Sequence, residues 1–293
     1  MLSPALPKVS AVAELLKPIT WFPPMWAFAC GAVASGASAD GRLWLVVAGV
    51  ILAGPLVCAT SQAVNDWFDR EVDAINEPHR PIPSGRMPGR SGLYVAIAWT
   101  LLSLMAAWAI GPWVFAAAAF GLLLAWAYSA PPLRLKRNGW WGNAACGLCY
   151  EGLAWITGAA VMSGGAPSLS SLILAALYSA GAHGIMTLND FKSIKGDQQM
   201  GIGSLPVRLG VDGAARTACL MMAVPQLVVI GLLLQLMSEV VMMLHTQLQV
   251  NTGQRILYDL RARLLDHLLA LGLRHHVVTR TADSVTGSAM VLQ

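Results

Sequence analysis

Charged side chains are scarce in this chain, at 12% of its 293 residues, where a soluble globular domain carries about twice that share. An ordinary water-soluble fold is thereby excluded. Cysteine is also sparse, and all five (Cys30, Cys58, Cys146, Cys149 and Cys219) fall inside apolar runs. Cys146 and Cys149 have C-x-x-C spacing, but neither a second pair nor a histidine cluster accompanies them. They read as small packing residues rather than as a metal or redox motif. No cleavable leader is evident: the first apolar run follows Lys8 and Lys17 without a convincing A-x-A site. The net charge of +4 is small, and nucleic acid is not an expected partner.

What the chain does have is apolar length. Hydrophobic residues make up 56% of it and the mean hydropathy is +0.59. Several runs exceed the roughly 18 apolar residues that mark a membrane-spanning helix. Spans are expected near residues 20–39, 43–64, 92–110, 112–128, 141–163, 169–188 and 214–237. The predicted fold is all-α, a polytopic membrane helix bundle in the lipid bilayer.

The basic residues are distributed unevenly. The connections after even-numbered spans hold Arg70, Arg80, Arg86 and Arg90, then Arg134, Lys136 and Arg137, then Lys192, Lys195, Arg208 and Arg216. The connections after odd-numbered spans hold only Arg42. The positive-inside rule then puts the charged loops and the N-terminus on the cytoplasmic side.

Two acidic segments lie on that one face. The first is NDWFDREVD, Asn65 to Asp73, and the second is NDFKSIKGD, Asn189 to Asp197. In the first, Asp66, Asp69 and Asp73 are spaced i, i+3, i+7, and Asn65 and Asp69 are i, i+4, so on a helix they share a face. In the second, Asp190 and Asp197 are again i, i+7 if helix persists, and Gly196 is the expected turning point. Clustered carboxylates repel one another unless a positive group lies between them. Carboxylate and amide oxygens suit Mg²⁺, which usually takes one or two carboxylates plus substrate phosphate. Asn65, Asp66, Asp69, Asp73, Asp190 and Asp197 are therefore candidate metal ligands. Arg80, Arg86, Arg134, Lys136 and Lys192 are candidate partners for diphosphate oxygens.

These residues resemble those of the UbiA superfamily of intramembrane prenyltransferases. The N-D-x-x-D-x-x-x-D pattern matches Asn65, Asp66, Asp69 and Asp73, and R-P-x-x-x-G-R matches Arg80, Pro81, Gly85 and Arg86. The blocks Lys17–Phe28, Tyr128–Asn143 and Asn189–Gly210 resemble the chlorophyll synthase branch of that superfamily. The likeness covers roughly residues 10–235. Many superfamily members carry D-x-x-x-D in the second segment, whereas position 194 here is Ile.

The resemblance implies about nine spans, an Mg²⁺ cofactor and a bacterial inner membrane location. It implies transfer of a geranylgeranyl or phytyl group from its diphosphate to the propionate of (bacterio)chlorophyllide. Asp66, Asp69 and Asp190 become catalytic candidates, with Tyr128 and Asn189 joining the substrate-binding set. His183, seven residues before Asp190, can point toward the same mouth as a substrate contact or bond within the bundle. Glu151 sits in the fifth span, where a charge is costly, as a substrate contact or a packing residue. Alternative readings keep the prenyl diphosphate and change the acceptor to an aromatic acid or haem, or make the chain an inactive, truncated or chimeric membrane protein.

The last reading arises from the tail. Residues 1–237 form the expected prenyltransferase-like bundle, with about seven spans, and 238–293 a divergent charged part. Gln254 to Leu273 has an amphipathic helical pattern and resembles a segment of ABC exporter transmembrane domains. A fusion or reading-frame change after about residue 235 is one expectation, and a surface-lying amphipathic helix is the other.

Overall fold

A computed structural model of the chain describes residues 7–38 and 40–270. Apart from one bridge between Asn138 and Gly203, the described residues hold helices and the turns between them. A short helix α1 (Val9–Leu16) precedes α2 (Phe22–Ala34) and α3 (Leu43–Ile51). A π-helical stretch, Leu52–Cys58, carries α3 straight into α4 (Ala59–Asn76). The pair α5 (Ser91–Ile110) and α6 (Pro112–Ser129) follows. Helix α7 (Gly139–Gly147) continues through a second π stretch, Leu148–Gly152, into α8 (Leu153–Ser163). Then come α9 (Leu169–Asn189), a 3₁₀ turn Asp190–Ser193, α10 (Ile194–Gln199) and α11 (Leu205–Ala270).

Among the described residues, six helical segments are long and apolar enough to cross a membrane, and α2 is a shorter apolar helix. Their outer faces carry large exposed apolar side chains such as Trp44, Leu101, Trp108 and Leu123. With no water in a bilayer core, such faces suit lipid, and helices satisfy their own backbone groups there. The chain is a multi-pass all-α membrane protein.

Association of spans in lipid relies on close packing rather than on hiding apolar surface. Small residues supply it between α2 and α8. A Cβ on Gly31 would meet the backbone of Trp155, and one on Gly158 would meet the backbone of Phe28. Phe28 is fully buried at this crossing. Two apolar clusters line up along the bundle. One centres on Ala27, Phe28, Leu52, Ala107, Val114 and Ala154. The other, around Leu15, Leu16, Ala63, Val64 and Met87, ties α1 and the 77–90 loop to α4.

The first π stretch has a visible cause. Pro55 sits inside it and has no N–H to continue an α ladder. The Pro55 carbonyl accepts from Trp99 Nε1 at 3.1 Å, which ties this stretch to α5.

The chain divides into two units, residues 1–229 and 230–293. The described part of the second, 230–270, is helical and almost all of its side chains are exposed. The amphipathic stretch expected at Gln254–Leu273 is helical as far as Ala270, and its last three residues lie outside the described part.

Candidate active site

The first acidic segment lies wholly within α4. Its carboxylates share one face of the helix, in two neighbouring stripes. Three helical steps advance about 300°, so Asp69 lies one stripe away from Asp66 and Asp73. Asp66 is only 2% exposed. Its Oδ1 accepts from Lys17 Nζ at 2.6 Å and from Arg80 at 3.4 Å. The same Arg80 nitrogen reaches Asp73 Oδ2 at 2.8 Å, and its Nε reaches Glu77 at 3.0 Å. On the other stripe, Asn65 Nδ2 donates to Asp69 Oδ2 at 2.8 Å and to Ser129 at 3.3 Å. Lys136 Nζ pairs with Asp69 Oδ1, and Arg134 stands 3.7 Å from that oxygen.

The second segment does not turn at Gly196. Helical structure runs through Gly196 to Gln199, and the chain reverses at Gly201 with φ 66°, where a side chain would be strained. The Asp190 carboxylate accepts from Asn143 Nδ2 at 3.1 Å, and that amide also reaches Thr187 at 3.2 Å. Ser193 Oγ donates to Asp197 Oδ2 at 2.9 Å.

Both segments border one cavity of about 1100 Å³. Its charged rim brings together Asn65, Asp69, Asp73, Arg80, Lys136, Asn189, Asp190, Lys192 and Asp197. Tyr128 is on its wall, as are Gln62, Cys146, Cys149, Tyr150 and Glu151. The cysteines are free thiols. Both π stretches contribute lining residues, among them Cys58, Tyr150 and Glu151. A π turn inserts a residue into the helical register, and here it lets the consecutive Tyr150 and Glu151 both face the cavity.

Four expected site residues are not part of this cavity wall, and Asp66 is one of them, buried against Lys17 and Arg80, which are part of it. Arg86 is outside the cavity wall: it makes a two-nitrogen pair with Glu14, with one contact at 2.8 Å, and bonds the His79 carbonyl. The Glu14 carboxyl is held below its usual range by that Arg86 hydrogen bond. Arg86 thus fastens α1 to the 77–90 loop. Arg134 borders a smaller cavity with Trp67, Arg70 and Pro131. His183 is buried and stacks beside Trp140, ring centroids 5.4 Å apart, rather than opening on the large cavity.

Other residues were not anticipated. Lys17 sits at the α1 C-cap in a left-handed conformation, φ 48°, and crosses to Asp66. Gln62 Nε2 donates to the Tyr150 hydroxyl at 2.6 Å, and Asn143 holds Asp190. Their signal was available: an amide or ammonium inside or at the edge of an apolar run is costly without a partner.

The rim interleaves carboxylates with cations. Burial opposes the Arg80 charge, and Asp66, Asp73 and Glu77 outweigh it, so the guanidinium is held above its ordinary value. Burial pushes the Lys136 ammonium down to about 8, against the pull of Asp197 and Asp66. Among the described residues, no three His, Cys, Asp or Glu side chains form a ready cluster for a metal ion. Next to the rim, behind Lys17 and Arg80, the buried Asp66 Oδ2 lacks a partner among the described residues.

The whole arrangement can be compared with known proteins. The chain is 58% identical over 229 residues to the bacteriochlorophyll synthase 33 kDa chain of Cereibacter sphaeroides, covering 78% of this chain and 76% of that one. It is 52% identical over 225 residues to the bacteriochlorophyll synthase 34 kDa chain of Chloroflexus aurantiacus, covering 75% and 71%. Against the chloroplastic chlorophyll synthase of Arabidopsis thaliana the identity is 40% over 234 residues, covering 75% and 59%. A solved UbiA homologue from Archaeoglobus fulgidus, bound to GPP and Mg²⁺, shares the fold with a TM-score of 0.61 at 22% identity, covering 73% of this chain and 75% of that one. The UbiA prenyltransferase family matches residues 20–248. Two acidic segments meeting at the mouth of one membrane cavity are thus found in a chain that belongs to the UbiA prenyltransferase family.

Proposed function

We propose that the chain transfers a geranylgeranyl or phytyl group from its diphosphate to the propionate carboxylate of (bacterio)chlorophyllide. The observation that carries this reading is the convergence of Asp69, Asp73, Asp190 and Asp197 with Arg80, Lys136 and Lys192 on a single membrane cavity. Support for the acceptor comes from relatives named bacteriochlorophyll synthase at 58% and 52% identity.

Mg²⁺ is the proposed cofactor. The residues fit it: a buried Asp66 oxygen has no partner, and the rim offers further hard oxygen donors. Asp66, Asp69 and Asp190 are the proposed holders, with Asn65, Asp73 and Asp197 beside them. When bound, the ion supplies charge neutralisation for the leaving diphosphate.

The chain's own groups do the rest. Arg80, Lys136 and Lys192 grip the diphosphate oxygens as negative charge builds on them. The bond between C1 of the prenyl group and the diphosphate oxygen breaks, and a propionate oxygen bonds to C1. An unperturbed carboxyl titrates near ~4, so the propionate attacks already ionised and no general base is required. The apolar wall holds the prenyl chain and keeps water from the allylic carbon.

The test supplies membranes carrying the chain with geranylgeranyl diphosphate, Mg²⁺ and either bacteriochlorophyllide or 4-hydroxybenzoate. Esterified pigment that disappears with Asp69→Ala is the expected result. Prenylated 4-hydroxybenzoate would replace this acceptor with an aromatic one.

A further inference from the structure

Glu151 has no role in the rim chemistry above, and its position is unusual. It lies in the second π stretch, in a helical segment apolar enough to span a membrane. It borders the cavity and is half-buried. Among the described residues its carboxyl group has neither an ion-pair nor a hydrogen-bond partner. A carboxyl group in the membrane interior is costly and ordinarily faces a partner or a ligand.

The neighbouring polar groups are already engaged. Gln62 and the Tyr150 hydroxyl bond each other at 2.6 Å. Among the described residues, Glu151 is therefore a polar group of this part of the wall with no partner to meet. A prenyl hydrocarbon offers it nothing either. The acceptor does, because the four in-plane nitrogens of a Mg-chelating macrocycle leave axial positions on the metal open. Mg²⁺ is a hard ion that prefers oxygen ligands. The residue otherwise suited to axial ligation, His183, is buried against Trp140 away from the cavity, and the cavity wall contains no histidine among the described residues.

Depth agrees with this assignment. Glu151 lies eight residues beyond Asn143, the residue that holds Asp190 at the rim. At 1.5 Å per residue that is about 12 Å into the membrane. The span is comparable with a propionate arm plus half a macrocycle, with the propionate at the rim where the diphosphate leaves.

Resting on the acceptor proposed above, we propose that Glu151 is a specificity-determining residue, an oxygen ligand to the central Mg²⁺ of the incoming macrocycle. It discriminates metal-bearing from metal-free acceptors without touching the prenyl diphosphate.

Equilibrium binding tests this independently of turnover. Purified wild-type chain, Glu151→Gln and Glu151→Leu are titrated with Mg-bacteriochlorophyllide and with its metal-free counterpart, following tryptophan fluorescence and pigment absorption. The expected result is at least about a tenfold weaker Kd of Glu151→Leu for the Mg pigment, a smaller loss for Glu151→Gln, and metal-free binding within about twofold of wild type. Unchanged metal-free binding also certifies that the variants fold. An equal loss for both pigments, or no loss for either, overturns the proposal. Wild-type chain that binds neither pigment overturns the acceptor reading itself, a separate outcome.

Discussion

At the scale of single residues, two arginines that look equivalent in the sequence separate. Arg80 and Arg86 belong to one short motif, R-P-x-x-x-G-R, yet Arg80 bridges Asp66 and Asp73 while Arg86 grips Glu14 outside the cavity. Replacing Arg80 by Lys keeps the charge and loses the planar fork that serves several oxygens together. The expected outcome of Arg80→Lys is a rise of about tenfold or more in KM for the prenyl diphosphate, read from steady-state esterification rates. Arg86→Ala should leave that KM unchanged and lower the thermal stability of the chain, because it releases α1 from the 77–90 loop. A matching KM rise for Arg86→Ala would return it to the site. Asp66→Asn tests the same corner differently. It removes the buried charge between Lys17 and Arg80, and two cations left without it repel, so activity is expected to fall by about a hundredfold or more, measured as esterified pigment per mole of folded protein.

At the scale of helices, the spacing of apolar and acidic residues carried much of the information. The i, i+4 pair Asn65 and Asp69 bonds as its spacing requires, and both acidic segments lie at the ends of apolar runs. Less legible was anything that depends on packing between distant segments. The π stretches shift the helical register and re-aim Cys58, Tyr150 and Glu151. Lys17 reaches Asp66 across 49 residues, and no local pattern reports such a contact. The turn expected at Gly196 failed because a 3₁₀ turn and α10 absorb that glycine, and Gly201 takes the positive φ instead. The α2–α8 crossing gives a prediction at this scale. Gly158 meets the Phe28 backbone so closely that a side chain has nowhere to go. Gly158→Val should destabilise the bundle by about 1–3 kcal/mol, seen as a lower unfolding temperature in detergent. Ala166, just past the end of α8 and exposed, should tolerate the same change.

At the scale of the whole molecule, orientation decides which compartment the diphosphate comes from. We propose that the rim faces the cytoplasm. Basic residues crowd the connections that carry the acidic segments, whereas the connections between spans on the opposite side hold a single basic residue, Arg42, which bonds the Met162 carbonyl. Membrane insertion retains Lys- and Arg-rich loops on the cytoplasmic side, and a water-borne diphosphate headgroup is then met directly by Arg80, Lys136 and Lys192. Two exposed positions report on this, Ser84 in the 77–90 loop and Ala166 between α8 and α9. In Ser84→Cys, a membrane-impermeant thiol reagent should label inverted vesicles and spare intact spheroplasts. In Ala166→Cys the pattern should reverse, with the unsubstituted chain giving the background from its five native cysteines. Labelling of Ser84→Cys from outside would turn the bundle over, and the cavity would then have to draw its diphosphate from the far side of the membrane.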